Sequence, residues 1–244
     1  NQKGGKLIMA INLEYKMKEG QVYLYDVIVN NIKIFRDNNN EEKEVDEIKM
    51  KLTQKVSKVL PNGEFELEIE IDPVSFLRNN APQEIAIPTQ TMKMVMDKKG
   101  KVISSTMDSP VSSPSFPDKP IEIGETWISK TTLRLAEGSP IELNYYYTAK
   151  GFEKVKNLDA ILIEVSSDRW ENNVNEVYQS LVSKGNTLFS VDYGALLKSD
   201  VETEVKAKLI NNNQEFISNV KVSVILDKLI QKDLQTSEEG FLIK

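Results

Sequence analysis

Carboxylates are the side chains in this sequence whose number and spacing could do chemistry. Glu64, Glu66, Glu68 and Glu70 alternate with apolar residues, and Asp37, Asn39 and Glu41 alternate oxygen ligands in a polar stretch. A glycosidase-type hydrolase needs two carboxyls roughly 5 to 10 Å apart across a cleft, in environments that split their pKa values. Glutamates lining one solvated strand face have no such environment, so they read as a charged outer surface that discourages aggregation. The Asp37–Glu41 stretch has a faint calcium-loop character, but it lacks the glycine at the sixth position and the spaced terminal glutamate. It reads as a mobile polar hairpin tip. Ser218 and Lys221 match the Ser-x-x-Lys spacing of acyl-transferring enzymes. That spacing works on a helix; Val220, Val222 and Val224 alternate here as in a strand, which sends the two side chains to opposite faces.

Two absences narrow the chemistry further. The 244 residues contain no Cys and no His. Thiolate nucleophiles, disulfides, histidine-based triads and sulfur or imidazole metal sites are therefore excluded. No phosphate-cradling glycine loop or dinucleotide fingerprint is present either. The expectation is a non-catalytic protein with no catalytic residues, no cofactor and no transition-metal site. A carboxylate hydrolase is the outside alternative, kept open by Asp159, Asp168 and Asp192, which periodicity does not place.

The charge balance bears on partners. Asp and Glu number 37 against 31 Lys and Arg, a net charge of −6, and the four arginines (Arg36, Arg78, Arg134, Arg169) are scattered. Nucleic-acid binding calls for a basic, Arg-bearing patch, and none is evident. No apolar run approaches the roughly 18 residues of a membrane span.

The elements that would position any site are strands. Period-two alternation dominates: Tyr23, Tyr25, Val27 and Val29 alternate with their neighbours, and Phe65, Leu67, Ile69 and Ile71 define one buried face opposite the glutamates. Pro61-Asn62-Gly63 marks a turn, and Met92–Asp97 with Lys101–Ser105 reads as a hairpin about Lys98-Lys-Gly100. One segment breaks the rhythm. Val174, Val177, Tyr178, Leu181 and Val182 recur at three- and four-residue spacing before Gly185, which predicts an amphipathic helix over 171–184.

The chain also repeats itself. Gly20–Tyr25 resembles Gly124–Ser129, Glu66–Ile71 resembles Ala160–Val165, and Met96–Ser105 resembles Val191–Ser199, in the same order. The predicted organisation is a first β lobe over 1–108, a Pro-rich crossover over 109–123 and a second β lobe over 124–244, as two domains or one continuous one. The fold expected is mainly β: an antiparallel curved sheet or open barrel from two duplicated lobes, with helix 171–184 on it. Trp127, Tyr145 and Tyr147 are the candidate ligand or partner surface, with packing across strands as the competing role.

Three stretches carry a resemblance: Leu13–Gly20 with Tyr23 and Tyr25, the Met96-Asp97…Gly100-Lys-Val102 hairpin, and Phe116-Pro-Asp-Lys-Pro-Ile-Glu-Ile-Gly-Glu-Thr-Trp127. Together they resemble a family of uncharacterised bacterial extracytoplasmic proteins, many of them lipoproteins. Its members have an aromatic opening strand after Lys-x-Gly and a midway Pro-x-x-Pro-Val-x-x-Gly-Asp-x-Trp motif. Ile121 and Glu125 depart mildly from that motif. The resemblance implies an all-β fold, export, and tethering through an N-terminal lipid on a longer precursor. The partner expected is an apolar small molecule on a concave sheet face; a structural or interaction module of the cell envelope is the alternative.

Overall fold

The computed structural model describes residues 9–107, 113–133, 140–232 and 238–242. In these the only regular structure is β. The first half contributes β1 (Val22–Asp37), β2 (Asn40–Val59), β3 (Phe65–Arg78), a short β4 (Ala81–Pro82), β5 (Gln90–Met96) and β6 (Val102–Ser105). The second contributes β7 (Thr126–Leu133), β8 (Ile141–Val155), β9 (Leu158–Ser167), β10 (Trp170–Val174), β11 (Val177–Ser190), β12 (Ala195–Leu209), β13 (Gln214–Lys232) and β14 (Glu238–Leu242). All join one antiparallel sheet in the order β6-β5-β3-β2-β1-β13-β12-β11-β9-β8-β7, with β4, β10 and β14 as side branches. Each half is a meander, and the long β1–β13 ladder from Val22↔Ile230 to Asp37↔Gln214 splices the two. The sheet is open, with β6 and β7 as its free edges.

Alternation along the strands sorts the two faces as the sequence predicts. Phe65, Leu67, Ile69 and Ile71 are buried, while Glu68 and Glu70 are exposed and Glu64 and Glu66 half-buried. The expected tip at Asp37–Glu41 is tighter than a loose polar loop. The β1–β2 ladder runs to Asp37↔Asn40, so Asn38 and Asn39 alone make the turn, and Arg36 engages the Glu41 carboxylate. Ser218 and Lys221 lie on opposite faces of β13, and Ser218 donates to Asn31 Oδ1. Residues 113–120 of the crossover form no strand, and 108–112 lie outside the described residues.

The helix expected over 171–184 is a β-hairpin. Val174 pairs with Val177, and Asn175 and Glu176 between them have φ of 51° and 64°, the left-handed pair of a type I′ turn. The helical spacing arises because β11 carries apolar residues on both faces: Val177 and Leu181 on one, Tyr178 and Val182 on the other. Replacing Glu176 by Gly tests this directly. Glycine should relieve the left-handed strain and stabilise the protein by up to about 1 kcal/mol, whereas in a helix it would cost about as much. Thermal unfolding of the variant decides the sign.

Candidate functional site: a cavity inside the curled sheet

Both free edges line one cavity of about 970 Å³, so the sheet curls until β6 and β7 face each other across a slot. The cavity wall comes from inward-facing positions of the strands: Tyr23 and Tyr25 of β1, Leu52 of β2, Leu67 and Ile69 of β3, Met94 and Met96 of β5. Val102, Ser129 and Thr131 border the slot. This volume lies at the upper end of the range for small-molecule sites, which are concave and mostly apolar.

One end of the curled sheet is sealed by chain outside the strands. Residues 9–17 cross it as an extended strap in which Ile11, Leu13, Tyr15 and Met17 are buried. Backbone bonds pin the strap to three separate elements: Ile11 and Ile121 exchange bonds of 2.8 Å, Tyr15 N–H donates to Lys98 O, and Lys16 N–H donates to Gly194 O. The crossover adds Phe116, whose amide donates to Lys99 O. Tyr15, Phe116 and Phe189 pack with ring centroids 4.7 to 5.6 Å apart, a geometry favourable for edge-to-face and tilted rings. Gly100 permits this closure. Its φ is +86°, and a Cβ there would lie 2.6 Å from Pro114 O and 2.8 Å from the Tyr15 ring. Gly100→Ala should therefore cost about 2 kcal/mol or more, measured by denaturant unfolding, with no loss of strand content.

The three aromatic residues singled out from the sequence come together on this wall. Trp127 stacks on Tyr147 at 5.7 Å, Tyr147 on Tyr145 at 6.4 Å, and Phe116 links Trp127 to the sealed end at 6.2 Å. Trp127 Nε1 donates to Ser115 O, and the Tyr145 hydroxyl donates to Ser183 Oγ. The hydroxyls of Tyr15, Tyr23 and Tyr25 likewise donate to Pro114 O, Gln21 Oε1 and Leu196 O. Among the described residues no buried side-chain polar atom lacks a partner. The inner wall thus offers ring faces and methionine thioethers, while Lys101, Lys130 and serine and threonine hydroxyls lie nearer the free edges. Burial raises the phenol pKa values of Tyr15, Tyr23, Tyr25 and Tyr147, so all four stay protonated at neutral pH.

A charged cluster occupies the same face farther along β1, β2 and β3, beyond the cavity-lining positions. Asp46, nearly buried, accepts from Arg78 Nε at 2.9 Å and Nη2 at 3.1 Å and from Lys33 Nζ at 3.1 Å. Glu44 pairs with the same two cations. The Arg78 hydrogen bonds hold the Asp46 carboxyl below the usual carboxylate range against the opposing effect of burial, with Lys33 adding to the pull. Burial works against the Lys33 ammonium, but its bonds to Asp46 and Glu44 outweigh it and raise its pKa. A depressed carboxyl stabilises fully above its unfolded pKa, and that contribution disappears as pH falls through the folded value. Asp46→Asn should cost about 1–3 kcal/mol at pH 7, and the gap to the parent protein should close below about pH 4. Urea unfolding as a function of pH reads both.

The carboxylates kept in view as catalysts do not converge. Asp159, Asp168 and Asp192 are exposed; Asp159 pairs with Lys154, and Asp168 accepts from Asn144. Asp72 beside it raises the Glu70 pKa, but this pair lies on the convex face. Sequence reasoning missed the strap, Phe116, Phe189 and the Met94–Met96 wall. Period-two alternation in Ile11, Leu13, Tyr15 and Met17 and in Met92, Met94 and Met96 was the available signal.

No protein-family model and no curated protein sequence matches the chain. Among solved structures, one described as lipid–protein interactions in lipovitellin is similar over 94% of this chain, with a TM-score of 0.53 and 8% identity. This chain spans 28% of that protein's length. The likeness is one of fold: this chain has a large open antiparallel sheet similar to one in lipovitellin.

Proposed function

We propose that the protein is a non-catalytic binding protein that holds an apolar small molecule inside the curled sheet. The observation that carries this reading is the cavity itself, about 970 Å³, whose inner wall is built from aromatic rings and methionines. The lipid–protein interactions named for lipovitellin, a protein with a similar sheet, support an apolar ligand here. An extracytoplasmic location, with a lipid tether on a longer precursor, rests on the resemblance carried by Lys18-Glu-Gly20, Tyr23, Tyr25 and the Pro117–Trp127 motif.

A second reading, an interaction module for an envelope protein, draws on the far end of the sheet. There Phe35 is 50% exposed beside Phe216 and Ala207 in a second hollow of about 530 Å³. The two readings separate in one titration. Protein unfolded, stripped of lipid and refolded should bind the neutral fluorophore N-phenyl-1-naphthylamine saturably, with energy transfer from Trp127. Met94→Trp, which fills the cavity, should weaken binding severalfold. Absence of saturable binding by correctly refolded protein would reject the ligand reading.

A further inference from the structure

The cavity lining is charged with one sign only. Lys99, Lys101 and Lys130 belong to it and no described Asp or Glu does, although acidic residues outnumber basic ones in the chain as a whole. Lys101 and Lys130 flank the two free edges, whereas Lys99 reaches the strap at the sealed end. Lys99 lies in the β5–β6 turn, Lys101 immediately before β6, and Lys130 on β7 across the gap. Lys101 and Lys130 are exposed, and neither makes an ion pair among the described residues. The Lys99 ammonium donates to Asn12 Oδ1 at 2.8 Å and Leu13 O at 3.0 Å. Both acceptors are neutral, so its charge is not compensated and one of its three donors is left over.

The contrast with the charged cluster farther along β1–β3 is informative. There Lys33 and Arg78 are matched by Glu44 and Asp46. Among the described residues, Lys101 and Lys130 have no such matching. Ser105, Ser113, Ser129 and Thr131 add hydroxyls at the same lips. A ligand that fits this layering is apolar along its length and negative at its end.

We infer that the ligand is a long-chain amphiphile with an anionic head group. Its chain occupies the aromatic and methionine wall, and its carboxylate or phosphate lies at the slot between Lys101 and Lys130. This rests on the apolar-ligand reading above and adds the head-group chemistry. Each exposed charge contact contributes modestly and is screened by salt.

Displacement of N-phenyl-1-naphthylamine from delipidated protein tests it, with dodecanoate, dodecyl phosphate and dodecanol as competitors of equal chain length. At low ionic strength one or both anions should displace the probe about five- to tenfold more effectively than the alcohol; the stronger of the two identifies the head group. Added salt should erode that preference and leave dodecanol unchanged. In the Lys101→Glu/Lys130→Glu double variant, whose positions are exposed, the preference should vanish or reverse while probe binding persists. Equal displacement by all three competitors, or a preference that survives the double substitution, overturns the inference and leaves the apolar-ligand reading standing. Failure of the refolded protein to bind the probe or any competitor overturns both.

Discussion

A sheet with no second layer must bury its own apolar face, and that requirement governs this molecule. Eleven strands in sequence across one sheet present a broad concave surface, and no helix or opposing sheet among the described residues covers it. Twist alone curls such a sheet; it does not close it here, because β6 is only four residues long and pairs on its outer side with no strand among the described residues. The concave face is instead protected by three different means. Tyrosines and branched residues fill the sealed end, extended chain from both the N-terminus and the crossover caps it, and paired charges occupy the far side.

The cap explains why the interior can remain hollow. The strap turns Ile11, Leu13, Tyr15 and Met17 inward and leaves Asn12, Glu14 and Lys16 facing out, and the crossover adds Pro114, Phe116 and Ile121. Each is anchored to hairpin turns, not to a strand ladder, so the plug is held by a few backbone bonds at fixed points. Material that closes one end in this way adds little bulk to the middle. The inner part of the resulting space is bounded by aromatic rings, the hydroxyls of Tyr15, Tyr23, Tyr25 and Tyr145 already bonded.

Much of this was readable from alternation. The burial of Phe65, Leu67, Ile69 and Ile71 and the opposite facing of Tyr145 and Tyr146 follow from strand geometry alone. The failure at 171–184 has a local cause: apolar residues on both faces of β11 mimic helical spacing, and Asn175-Glu176 is not the Asn-Gly pair that announces a type I′ turn. The cavity had no local signature. Which inward faces converge depends on the β1–β13 register and on the meeting of β6 with β7, contacts between residues far apart in the chain. Trp127 and Tyr147 could be named from the sequence, but that they share a wall with Tyr23 and Met96 could not.

The β1–β13 splice has a consequence for how the molecule is made. Tyr23 waits for Leu229, about two hundred residues later, before its strand has both neighbours. Until then the first meander is a half-shell with Tyr23, Tyr25, Leu52 and Leu67 open to solvent and β1 as an unpaired edge. Such an intermediate invites association with other chains. Lys33, Lys49, Lys51 and Lys55, spread along β1 and β2, put charge on that shell while its partner is still being synthesised. The same residues that dress the finished surface thus act as gatekeepers during assembly.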